Sequence, residues 1–163
     1  MKLAALGVAS ALMFGALTAA HASDPKATIA DLDARLAQIG VARIDGTDAL
    51  GDKTVPALYF GERKINRNYD VVDAVRKTHG ATATVFVKDG DEFVRVSTNV
   101  LTPEGKRGIG TLLARNKAYD AVSKGEQYCG PIDVLGTAFD ACYNPIRDAG
   151  NKIIGASYVG HKK

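Results

Sequence analysis

The sequence predicts an α+β domain, in which helices precede and interrupt a five-stranded antiparallel sheet. Three observations predict it. Apolar residues recur at helical spacing before residue 80 and again between 112 and 124. The remaining well-patterned stretches, ATATVFVK and EFVRVSTNVL foremost, are rich in β-branched residues. Where such stretches adjoin, the residues between them (Asp89-Gly90, Leu135-Gly136) leave room for a hairpin turn and none for a crossover helix, so neighbouring strands run antiparallel. The chain has 163 residues, 46% hydrophobic and 24% charged, which suits one globular domain and excludes a disordered one.

The first 22 residues stand apart. Met1-Lys2 is a positive start, Leu3 to Ala20 is apolar or small, and Ala20-His21-Ala22 carries small residues at its first and third positions. This is the pattern of a secretory signal peptide cleaved before Ser23, with residues 23–163 as one domain, periplasmic or secreted. The rival for the same run is an uncleaved anchor, since its length is near the spanning minimum. No cysteine follows it to carry a lipid, and no second apolar run of that length occurs.

Ala27 to Ile39 sets Ile29, Leu32, Leu36 and Ile39 at helical spacing, with Gly40 as the stop. Gly46 to Phe60, holding Gly51 and Pro56, reads as a long loop. Tyr69 to His79 carries Val71, Val72 and Val75 ahead of Gly80 and reads as a short helix. Ala81–Lys88 and Glu92–Leu101 form the first hairpin about Asp89-Gly90. Thr102 to Gly110 is a loop with four turn formers, Pro103, Gly105, Gly108 and Gly110. Leu112 to Lys124 is a helix closed by Gly125. Gln127–Val134 and Thr137–Ile146 form the second hairpin, Arg147–Asn151 a turn, and Lys152–Val159 the last strand. Helices at one end of the chain are then expected to cover one face of the sheet.

A two-residue turn at Leu135-Gly136 pairs Val134 with Thr137 and, counting outward, Cys129 with Cys142. That pair falls on a non-hydrogen-bonded position, where opposing Cα atoms come closest. Pro131 falls on the same class of position, where its missing N–H costs nothing. In an oxidising compartment the pair is expected to be a disulfide, closing about 14 residues and contributing on the order of 3 kcal/mol; the rival is two free thiols.

Composition excludes several functions. Net charge is +3, with the basic residues scattered rather than gathered into a stripe, so a nucleic-acid partner is not expected. Beyond the signal only His79 and His161 remain and no CxxC occurs, so neither a metal site nor any other cofactor is expected. No nucleophile or acid-base constellation appears, so the chain reads as a non-enzyme. Regular alternation puts Phe93, Arg95, Ser97 and Asn99 on one strand face, and Arg107 follows in the glycine-rich Gly105–Thr111. An arginine beside such a turn is a carboxylate receptor, or else a solvated side chain on an outer face. Tyr119, Tyr128, Tyr143 and Tyr158 offer rings with a polar handle, and Tyr128 and Tyr143 share a face with Ile132 and Phe139. Core packing and pocket lining both remain open for them.

The stretches LYFGERKINRNYDVVDAVRKTHGATATVFVKDGDEF, FVRVSTNVLTPEGKRGIGTLL and KGEQYCGPIDVLGTAFDACYNPIRDAGNKIIGASYVG together resemble the Cache sensor domain. The likeness is to single-Cache forms, in the Cache type 3/type 2 fusion grouping, of bacterial chemoreceptors and sensor kinases, and it covers about Ala27 to Gly160. It implies a PAS-like fold, a long N-terminal helix on a five-stranded antiparallel sheet, with a loop-helix segment covering a ligand pocket. Members of the family sense small molecules, often short organic acids or amino acids. Carried over to this chain, the pocket candidates are Arg95 and Thr98, Arg107, Gly110 and Thr111, and Tyr119, Tyr128 and Tyr143. Arg95 and Thr98 share one pocket only if a bulge interrupts their strand. Two departures stand out: Cys129 replaces a usual aromatic, and the sequence stops soon after its last strand, where receptors continue into the membrane. The expectation is an extracytoplasmic domain that binds a small anionic metabolite and acts through a membrane-bound chemoreceptor or sensor kinase. The alternative is a ligand-free interaction module of an envelope or receptor complex. Oligomeric state is not readable.

Overall fold

The computed structural model describes residues 23–163, so the expected signal peptide lies outside the described residues. Helix α1 spans Pro25–Ile39. Asp24 caps it by accepting from the Lys26 amide, and Pro25 takes the first turn, where its missing N–H is not needed. Ile29, Leu32 and Leu36 are buried on one face, each worth about 1.5–3 kcal/mol against full exposure.

The expected loop at 46–60 is instead a second, smaller sheet: β1 (Ala42–Leu50), β2 (Lys53–Phe60) and β3 (Arg63–Lys64), in the order β1-β2-β3. Gly51-Asp52 is its two-residue turn, since Leu50 pairs Lys53. Pro56, which argued for a loop, pairs Thr47. Counted from the turn, that is a non-hydrogen-bonded position, so β2 loses no bond to β1. An irregularity at Asp45-Gly46 breaks the alternation of β1 and hides it from a periodicity reading. The sheet is seated tightly on the end of α1: a Cβ on Gly40 would lie 2.5 Å from Gly61 Cα.

Helix α2 (Asp70–His79) ends at Gly80 in the left-handed conformation, with acidic residues in its first turn and basic ones in its last. The main sheet follows: β4 (Thr82–Asp89), β5 (Glu92–Thr98), β6 (Tyr128–Val134), β7 (Thr137–Arg147) and β8 (Ile153–Lys162), all antiparallel, in the order β5-β4-β8-β7-β6. The five-stranded antiparallel sheet is as expected. The first hairpin turns at Gly90-Asp91, one residue beyond the expected pair, because Asp89 pairs Glu92. In the second, Val134 pairs Thr137 and Cys129 pairs Cys142. Those two cysteines form the disulfide, with Cα atoms 4.1 Å apart.

Helix α3 is shorter than expected, Lys117–Ser123, because Asn116 caps it by accepting from the Ala118 and Tyr119 amides. The residues before the cap pair with β5 instead: Gly110 N donates to Arg95 O, Arg95 N to Thr111 O, and Leu113 N to Phe93 O. This strap, Gly108–Leu113, covers the open edge of β5. Helices were expected on one face, but α3 and the strap cover the second, so two apolar cores result, one on each face of the sheet. Ile29, Leu32, Leu36, Leu58, Val72 and Val85 belong to the core under α1, α2 and the small sheet. Phe86, Phe93, Leu113, Val122, Tyr143 and Tyr158 belong to the core under the strap and α3.

Candidate functional site

The candidate site lies in the second core, and a single irregularity of β5 creates it. Val85 pairs Ser97 but Phe86 pairs Arg95, so Val96 is an extra residue on β5. Such a bulge sends two consecutive side chains to one face. Val96 joins the first core, and Ser97 turns the same way to donate to Asn68 O. Regular alternation had placed Arg95 with Ser97 and Asn99. The bulge separates them and puts Arg95 and Thr98 together on the face of Phe86.

Arg95 is only 3% exposed. Its Nη1 donates to Thr111 Oγ1 at 3.0 Å and to Leu112 O at 2.9 Å, and its guanidinium stacks 4.9 Å from the Phe86 ring centroid. Its Nε is buried without a hydrogen-bond partner. No carboxylate of the described residues pairs with it. Burial lowers its pKa, while the neighbouring Tyr143 and Tyr158 phenols work the other way. A guanidinium nonetheless stays protonated. The site thus holds a desolvated positive charge whose Nε/Nη2 edge, the one suited to a bidentate carboxylate, is not claimed by an acid.

Aromatic rings form the rest of the layer. Tyr143 lies 4.8 Å from Tyr158, 6.3 Å from Tyr128 and 6.5 Å from Phe86, centroid to centroid. Burial pushes the pKa of both Tyr143 and Tyr158 well above the ordinary tyrosine value, so both stay neutral hydroxyls. The Tyr158 hydroxyl bonds Thr82 Oγ1 at 3.0 Å. Thr84 and Thr98 hydroxyls share a bond of 2.6 Å.

The remaining expected residues divide. Thr111 and Gly110 sit on the strap beside Arg95, Thr111 through its hydroxyl and Gly110 through its amide. Tyr128 and Tyr143 line the layer, although the Tyr128 hydroxyl turns back to Pro131 O at 2.9 Å. Tyr119 packs edge-on against Phe93 and donates to Asp91 O at 2.6 Å, at the rim. Arg107 is not brought to Arg95. It makes a two-point ion pair with Asp73 of α2, both contacts 2.8 Å, donates to Thr98 O, and lies over the Tyr69 ring. Its charge is already matched, so it anchors the loop to α2. Thr84 and Phe86 belong to the site but were not singled out, and Tyr158 was noted by residue type but not carried over as a pocket candidate. Alternation along Thr84–Phe86 and Ala156–Tyr158 is the signal that could have found them.

Open grooves lie elsewhere on the surface. One of about 440 Å³ runs between α1 and the small sheet past Asp33, Leu36, Val41 and Phe60. Another of about 380 Å³ lies outside the strap at Lys53, Arg67 and Thr111. Arg95 lines neither. Among the described residues no group of three or more His, Cys, Asp or Glu is placed to hold a metal. His79 bonds Asp31 at 2.8 Å, and His161 bonds Thr28 at 3.0 Å.

The Cache 3/Cache 2 fusion domain matches residues 28–163, and the chain belongs to that family of extracytoplasmic sensor domains. Among solved structures it is similar to the sensor domain of E. coli DcuS, with 23% identity and a TM-score of 0.42. That likeness covers 56% of this chain and 63% of the other, so the chain spans less than two thirds of the length of the structure it matches. No curated protein sequence matches. Among the described residues no helix is long and apolar enough to cross a membrane.

Proposed function

We propose that this domain senses a small carboxylate, which binds on the Nε/Nη2 edge of Arg95 among Thr98, Tyr143 and Tyr158. The observation that carries the reading is the buried guanidinium without an acid partner. Such a charge carries a desolvation penalty of several kcal/mol that two neutral acceptors only partly offset. A ligand carboxylate supplies the missing charge through two parallel hydrogen bonds. The reading is one of binding without turnover. The leader at residues 1–22 would deliver the domain to the periplasm or beyond. A membrane-bound chemoreceptor or sensor kinase would then read the occupied form.

A second reading, a ligand-free interaction module, is favoured by one observation: the layer is filled by its own rings, with Phe86, Phe93, Tyr143 and Tyr158 all buried. Thermal denaturation of the purified protein with formate, acetate, propionate, butyrate and lactate separates the two, with the matching amides as neutral controls. A carboxylate at 100 times its Kd is expected to stabilise the fold by about 2.7 kcal/mol, a rise of several degrees in Tm. Arg95→Met should remove that response. A flat series, or a response that survives Arg95→Met, rejects the carboxylate site and leaves the interaction module.

A further inference from the structure

Arg95 is bound to the strap more heavily than to anything else. Its main chain exchanges two hydrogen bonds with Gly110 and Thr111. Its side chain adds two from Nη1, to Thr111 Oγ1 and Leu112 O. The Thr111 hydroxyl donates its own proton to Gly108 O at 2.6 Å, which leaves a lone pair facing Nη1. The planar guanidinium is therefore gripped at Nη1, away from its Nε/Nη2 edge. Because the group is rigid and flat, fixing Nη1 fixes the direction of Nε and Nη2 as well.

We infer that Thr111 is the positioning residue of this site, and that through it Arg95 reports the bound carboxylate to the strap. The inference rests on the carboxylate reading above. In the empty site the guanidinium has one satisfied edge and one unsatisfied one, so its orientation is held from the strap side alone. A carboxylate on the second edge holds the flat group from both sides, so the Nη1 bonds to Thr111 and Leu112 open less often. The strap then lies more tightly on β5. Coupling of this kind is reciprocal: whatever loosens Arg95 from Thr111 weakens carboxylate binding by the same factor. The strap is suited to display the change. Leu112, beside Thr111, is 42% exposed, and Arg107 just upstream is anchored to α2 through Asp73.

Amide hydrogen exchange followed by NMR tests this, with sodium acetate as the probe beside the formate-to-butyrate series. The Gly110 and Leu113 amides report the strap, because they donate to Arg95 O and Phe93 O. Amides of Asp48 and Val55, paired within the small sheet away from the site, serve as controls. In the wild type the bound carboxylate is expected to slow exchange at Gly110 and Leu113 about tenfold, a change the size of one charge-assisted hydrogen bond. Thr111→Ser, which keeps the hydroxyl, should retain both binding and slowing. Thr111→Val should bind about tenfold more weakly and show no slowing. A residue that served stability alone would lower Tm without touching the carboxylate-dependent difference. If a carboxylate raises Tm but leaves Gly110 and Leu113 unchanged, or if the slowing persists in Thr111→Val, the relay is wrong and the carboxylate site stands. If no member of the series raises the wild-type Tm, the site reading fails and the relay goes with it.

Discussion

Arg95 has a counterpart on the opposite face of the sheet. Asp33 of α1 accepts from Ser157 Oγ at 2.6 Å and from Asn144 Nδ2 at 2.5 Å, and among the described residues no cation pairs with it. Gln127 Nε2 in turn donates to Asn144 Oδ1. Two neutral donors compensate a carboxylate less than a charged one does, so the burial penalty outweighs them and the Asp33 pKa is raised. Its native state therefore holds the proton more tightly than its unfolded state. The stability this contributes is fully present below the ordinary value of 3.8 and is lost as pH rises through the higher folded value. Asn at position 33 cannot titrate. The stability of the wild type relative to Asp33→Asn, measured from urea midpoints, should fall as pH is raised from about 4 to about 6. A difference that stays constant across that range, or rises, would show that the surroundings do not raise the Asp33 pKa.

The second hairpin was legible down to its register, and the reason is local. Leu135-Gly136 carries the two positive φ values, 51° and 83°, that a tight turn between twisted strands requires. Once that turn is placed, the alternation of β6 and β7 leaves no other pairing for Cys129. Replacing Cys129 and Cys142 together by Ser is expected to cost on the order of 3 kcal/mol. Reducing agent should bring the wild-type denaturation midpoint down to that of the variant and leave the variant unmoved; coincident midpoints before reduction would show that the bridge contributes nothing. The small sheet was not legible, because Pro56 and the break at Asp45-Gly46 imitate a loop while the pairing that rescues them is non-local. The start of α3 was misread because Leu112 and Leu113 fit a helical period equally well, and only the open edge of β5 claims them for a strap. At the site, Arg95, Thr111 and Tyr143 were found by residue type and family resemblance. The bulge at Val96 entered only as the condition for Arg95 and Thr98 to share a pocket, since nothing in FVRVST itself marks an extra residue. It decides which side chains meet, and it moved Ser97 away and Thr98 in.

The two cores share one sheet, and this has a consequence for the molecule as a whole. Along β8, Ile154, Ser157 and Val159 face the layer of α1 and the small sheet while Ala156 and Tyr158 face the α3 layer. On β7, Cys142 and Tyr143 are divided in the same way. Neither core can be exposed without stripping side chains from strands that hold the other. The layers are also tied around the edge of β5, where Arg107 of the outer segment meets Asp73 of α2. The expected behaviour is one cooperative transition, as for most single domains under about 150 residues. Far-UV circular dichroism is dominated by α1 and α2 among the helices, while near-UV dichroism in a chain without tryptophan reports chiefly the packed tyrosines, Tyr143 and Tyr158 foremost. Their melting curves should superimpose, and a carboxylate bound at Arg95 should shift both equally, although it touches only one layer. Near-UV signal lost before far-UV signal would mean that the α3 layer melts from a sheet still covered by α1. In that case the ligand would stabilise one layer alone, and the strap would answer to local order rather than to the fold.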